Sequence, residues 1–94
     1  MNLKDIHTGD KALQTKKIFT AIEGVISIQL TAGGQLKEHV TNIPAMLIAV
    51  FGEVVFENEK GNKTVLLPGD YIAIEANVKH WLNAEKDSSL LLIK

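Results

Sequence analysis

Cysteine is absent from the 94-residue chain, which removes disulfides, thiol nucleophiles and thiolate metal ligands together. An excess of one charge is missing too. Ten basic and eleven acidic side chains leave a formal net charge of −1. No polybasic block exists to neutralise a row of phosphates, so nucleic acid is excluded as an expected partner. The nearest approach to such a block is Lys16-Lys17. The longest apolar run, Ala45–Phe51, falls far short of the roughly 20 residues that a membrane helix needs. At the start of the sequence Lys4 and Asp5 stand where a signal peptide would carry its apolar centre. These absences lead to the expectation of a soluble, cytoplasmic protein with no membrane partner.

What is present is enough apolar material for a filled core. The apolar share is 46%, although aromatics supply only 5%, and the mean hydropathy lies just above zero. Such a composition belongs to a globular domain and not to a disordered segment. The length allows one domain. A chain of this size buries only about two-thirds of its unfolded surface, so pairing with a second copy would add appreciably to its stability.

Residues 1–17 are polar and lack a sustained period, and the segment is expected to be an N-terminal arm. Within it, Asp10–Gln14 has the length and composition of a single helical turn, and His7 has the surroundings of a solvated histidine. Residues 18–94 are expected to form the body, with strand following strand from Ile18. Val25–Leu30 alternates, with Ile26, Ile28 and Leu30 on one face and Ser27 and Gln29 on the other. Gly24 marks a bend, Gly33-Gly34 a turn, and Pro44 the end of the extended run from Leu36 to Thr41. Ala45–Phe51 is apolar at every position. A strand with one buried face would alternate, so both faces of this one should be covered, and a homodimer is the expectation that follows.

The second half repeats the pattern. Val54–Glu57 runs back from Gly52-Glu53, Glu59–Asn62 has the composition of a hairpin loop, and Pro68-Gly69-Asp70 turns the chain into Tyr71–Glu75. A strand opens at His80, and Glu85–Asp87 turns into a last strand, Ser89–Ile93. Some eight short strands with regular turn signals and no helical period predict an all-β sandwich or barrel. Two histidines of the body, His39 and His80, each leave a short stretch after a tight turn, which points to one shared pocket. Imidazole titrates near neutrality and suits metal coordination or acid–base work on a ligand. Trp81, next to His80, should face outward and suits an interface or a place under the arm.

These residues resemble the two motifs of the cupin superfamily. In the first, a glycine precedes a His-x-His pair, a glutamate and a closing glycine. Here Gly33 precedes His39 with five residues between them, and Gly52 closes the motif within Val50-Phe51-Gly52-Glu53. In the second, a glycine precedes Pro-x-Gly, a histidine and an asparagine. Here Gly69 precedes Glu75, at the proline position, with five residues between them. Asn77 takes the glycine position, His80 matches the histidine, and Asn83 falls one residue short. Asparagine accepts the left-handed conformation better than most residues, so that exchange is mild.

The resemblance implies an all-β, cupin-like jelly-roll β-barrel of about eight short antiparallel strands, and a small-molecule ligand within it. It also implies where the chain departs. The second histidine position is Thr41 and the glutamate position is Ala45, so His39 and His80 are the surviving metal-ligand positions. The implied ligand pocket is His39, Thr41, Ala45 and His80. A catalytic zinc takes three protein ligands, and a non-haem iron triad takes two histidines and a carboxylate. Two imidazoles fall short of both, and neither Glu38, Glu75, Gln35 nor Asn83 is a convincing substitute. The leading expectation is a metal-poor, small-molecule-binding barrel. The alternative is a small metal-dependent enzyme, of oxygenase or isomerase type, holding a divalent transition metal (Zn, Fe, Ni or Mn) on His39 and His80. A third reading, a structural or partner-binding protein, rests on Ala45–Phe51 and Trp81 as interface candidates.

Overall fold

Alternating stretches and turn signals become eight strands in the computed structural model, which describes residues 1–94. They are β1 (Val25–Leu30), β2 (Gln35–His39), β3 (Ala45–Phe51), β4 (Val54–Asn58), β5 (Lys63–Leu66), β6 (Tyr71–Ile74), β7 (His80–Ala84) and β8 (Ser88–Ile93). All pairings are antiparallel and build two four-stranded sheets, ordered β1-β8-β3-β6 and β2-β7-β4-β5. Each sheet interleaves early strands with late ones, which is the order of a jelly roll. No helix is long and apolar enough to cross a membrane.

The core lies between the sheets and is filled by alternate residues of each strand. Leu47, Val54, Phe56, Leu66, Leu82 and Leu90 are almost wholly buried there, with Ala45, Ala49 and Ala84 between them. Each of the larger side chains contributes about 1.5–3 kcal/mol through burial. Along β3, Ala45, Leu47 and Ala49 face the core, while Met46 on the other side is only 4% exposed within a single chain. Cover on both faces of this run is therefore met near Met46 without a partner. Val50 and Phe51, at the end of the strand, are exposed.

Turn chemistry matches the backbone. Asn77, at the glycine position of the second motif, has φ 64° and is the one non-glycine residue with positive φ. At Gly52 a close approach adds to φ 89°: a Cβ there would run into the Asp87 carbonyl oxygen and Ser88. Ser88, itself buried, accepts from the Glu53 N–H at 3.0 Å and donates to the Lys86 carbonyl at 2.7 Å, which ties the β3–β4 and β7–β8 turns together.

In the first quarter of the chain one expectation is corrected, the point at which the strands begin. No helical turn forms at residues 10–14; the one helical turn is the 3-10 turn Leu3–Asp5, because Asn2 caps it by accepting from the Lys4 N–H at 3.0 Å. Strands begin at Val25 and not at Ile18. The N–H groups of Ile22, Glu23 and Gly24 all donate to the main-chain oxygen of Lys94, at 3.1, 2.7 and 2.8 Å. Three successive donors converging on one acceptor require a bend, which an extended ladder cannot provide. At its other end the arm is tied to the β5–β6 turn. Leu3 N–H donates to the Gly69 carbonyl, Tyr71 N–H to the Met1 carbonyl, and the Asn2 side-chain amide to the Asp70 carboxylate at 2.8 Å.

Candidate functional site

The two body histidines meet because of an irregularity in β2. Leu36 pairs with Leu82 and His39 with His80, so three steps along β2 match two along β7. One extra residue on one strand is a β-bulge, and it reverses the in–out alternation beyond it. Leu36 and His39, which unbroken alternation would send to opposite faces, therefore both line the space between the sheets. The His39 and His80 rings sit edge to face, with centroids 5.6 Å apart at 85°.

Their surroundings differ. His80 is 2% exposed and lies nearly parallel to the buried ring of Phe56, with centroids 5.9 Å apart at 20°. Burial lowers its pKa from the ordinary imidazole value; the Val78 carbonyl beside it opposes that shift, and His39 adds a smaller lowering. His80 is thus neutral at pH 7. Its Nδ1 lies 3.4 Å from the Val78 carbonyl oxygen, a contact only a protonated Nδ1 can make, which leaves Nε2 as an acceptor. His39, by contrast, is exposed at the rim.

Both rings border a cavity of about 310 Å³. Its walls come from both sheets: Ile26 and Ile28 of β1, Leu47 of β3 and Leu92 of β8 on one side, Leu36 and Leu82 on the other. Its polar side chains are His39, His80 and Lys94, with no carboxylate among them. A larger, shallow depression of about 690 Å³ lies at the opposite end, against Phe51, Gly52, Leu67 and Asp87. That depression holds no histidine.

Thr41 and Ala45 stand apart from this cavity. Thr41 is buried, its hydroxyl donates to the Ile43 carbonyl at 2.8 Å, and its carbonyl accepts from the Asn77 N–H at 2.7 Å. It closes the turns at this end. Ala45 is buried opposite Ile74 in the core. The other titratable candidates turn to the surface: Glu75 pairs with Lys60 at 2.6 Å and Glu38 with Lys79 at 3.9 Å. Trp81 faces outward as its parity requires, and its indole N–H donates to Glu57 at 3.1 Å. No group of three or more His, Cys, Asp or Glu side chains comes together. The residues present therefore do not fit the three-ligand metal centre that the superfamily pattern implies.

Two site residues escaped the motif reading. Phe56 and Lys94 carry the signal of parity: Phe56 follows Val54 by two, and Lys94 follows Leu90 and Leu92 by the same step, so both belong to inward-facing series.

No protein-family model matches the sequence, and no curated protein matches it. Solved structures do. The cupin domain of Drosophila melanogaster CENP-C superposes with a TM-score of 0.69 at 23% identity, over 76% of this chain and 56% of that one. The chain thus spans little more than half the length of that relative. A cupin superfamily protein from Desulfitobacterium hafniense gives a TM-score of 0.70 at 16% identity, over 100% of this chain and 87% of that one. A cupin-like protein from Thermotoga maritima gives 0.67 at 20% identity, over 74% and 55%. The chain has the cupin fold.

Proposed function

We propose that the protein binds a small, largely apolar molecule inside the barrel, without a resident metal. The observation that carries this reading is the cavity itself. Protein interiors are close-packed, and unfilled apolar space is destabilising. A domain of 94 residues that keeps about 310 Å³ open between its sheets has room at the low end of the ligand-pocket range. Seven of the ten lining residues are hydrophobic, so burial of apolar ligand surface supplies most of the affinity. Neutral His80 offers Nε2 to a ligand N–H or O–H, and Phe56 fixes the plane of its ring.

Calorimetric titration with octanol, a neutral apolar probe, tests the reading. Wild-type protein should take up about one molecule per chain, and Ile28→Phe, which fills the cavity with a larger apolar side chain, should lose that binding while it still melts cooperatively. Failure of wild type to bind either octanol or a charged compound of the same chain length would end the proposal. The alternative, a metal-dependent enzyme, draws on the direct pairing of His39 with His80 across the β2–β7 ladder. Metal analysis of protein purified without a histidine tag separates the two. About one transition metal per chain, lost in His39→Ala or His80→Ala, would favour the enzyme.

A further inference from the structure

We infer that the ligand class of this cavity is a small apolar molecule bearing one carboxylate, its acid group against Lys94 and His39 and its hydrocarbon part between the sheets. The inference rests on the binding role proposed above and adds the charge of the ligand. Its basis is the character of the polar groups. A cavity suited to any apolar molecule would need none, and one built for an amine would carry a carboxylate. This one is lined by two imidazoles and an ammonium, and by no acid.

Lys94 is not a loosely held surface lysine. Its main-chain oxygen accepts from the N–H groups of Ile22, Glu23 and Gly24, and its own N–H donates to the Gly24 carbonyl at 3.0 Å. The backbone is pinned on both sides, and parity with Leu90 and Leu92 turns the side chain toward the cavity. That side chain is only 23% exposed, whereas its partner Glu23 is 53% exposed, and the two are separated by 3.7 Å. Glu23 does not line the cavity; it borders the outer depression formed with Gly24, Val25, Ile26 and Lys94 itself. Lys94 thus borders both spaces: its ammonium pairs with Glu23 on the outer side, and no acidic side chain lines the cavity on the inner side. A carboxylate entering there forms a charge-assisted hydrogen bond in partly dry surroundings, where such bonds are stronger than between neutral groups. His39, exposed at the same rim and opposite His80, offers a ring N–H to the second carboxylate oxygen.

Titration of octanoate, octanol and octylammonium into the whole chain at pH 7 and low salt tests the inference. Octanoate should bind about tenfold more tightly than octanol, and octylammonium more weakly than either. Lys94→Gln, which keeps most of the aliphatic stem, should bring the octanoate-to-octanol ratio close to one. His39→Gln should reduce that ratio in part, and it serves as the second probe if Lys94→Gln fails to fold. Equal binding of octanoate and octanol by wild type overturns the carboxylate inference and leaves the binding role standing. A ratio unmoved by either substitution overturns it too. Absence of binding by all three compounds overturns the binding role itself.

Discussion

Burial sets the charge of His80. The folded chain holds the ring behind Phe56 with almost no solvent access, and its pKa lies below that of a free imidazole. The unfolded chain keeps the ordinary value of about 6.5. Below that pH the unfolded state binds the proton that the folded state refuses, so stability rises with pH through this window. The contribution is fully present above about pH 6.5 and is lost as the pH falls toward the folded value. Thermal melts followed by circular dichroism should show a falling midpoint between about pH 7 and pH 5. His80→Gln, which has no charge to gain, should flatten that slope. An equally steep slope in the variant would assign the acid sensitivity to other groups.

At the scale of elements, the β2 bulge builds the site. It turns Leu36 and His39 to the same side, and deletion of Lys37 would restore plain alternation. Whichever pairing survives, one of the two side chains must then leave the cavity. Leu36 is half-buried against the core, so its loss would cost about 1–2 kcal/mol; loss of His39 would instead cost the rim its imidazole. The expected result of the deletion is a lower urea midpoint with loss of octanol binding where Leu36 is turned out, or a reduced octanoate-to-octanol ratio where His39 is turned out. Unchanged values of all of these would mean that the bulge carries nothing. The same feature explains what the sequence could and could not disclose. Turns and strands carry their signals locally: Asn77 accepts a left-handed backbone, Gly52 a crowded turn, and Ile26 to Leu30 a simple alternation. A bulge is fixed by the partner strand, which no local residue names. Motif spacing groups His39 and His80, which are partners across the β2–β7 ladder, with Thr41 and Ala45, which do not line the cavity. Thr41 lies past the end of β2 with its hydroxyl committed to Ile43, and Ala45 belongs to the core opposite Ile74.

For the whole molecule, the arm and the residues after it up to Gly24 form a strap fastened at two points. Its far fastening is the trio of N–H groups on the Lys94 oxygen; its near one is Asn2 on Asp70, beside the Leu3 and Tyr71 backbone bonds. Between them, residues 7–21 make no backbone–backbone hydrogen bond, and Leu13 is 79% exposed. The two fastenings should therefore open separately. Asp70 accepts from the Leu67 N–H as well as from Asn2, and these two bonds hold its carboxyl below the usual range. A carboxyl with a lowered folded pKa stabilises above its ordinary value of about 3.8 and loses that contribution as the pH falls through the folded one. Substitutions divide the two bonds. Asn2→Ala removes the hold on the arm and leaves the Leu67 bond in place, whereas Asp70→Ala removes both and frees a turn N–H as well. With trypsin at pH 7, wild type should be cut first after Lys11, Lys16 or Lys17, with Lys4 protected by its place in the capped turn. Asn2→Ala should expose Lys4 to cleavage without moving the thermal midpoint of the barrel, and Asp70→Ala should do the same and also lower that midpoint by loosening the β5–β6 turn. If Lys4 stays protected in both variants, the backbone bonds from Leu3 and Tyr71 hold the near end by themselves, and the side-chain latch is not what fastens the arm.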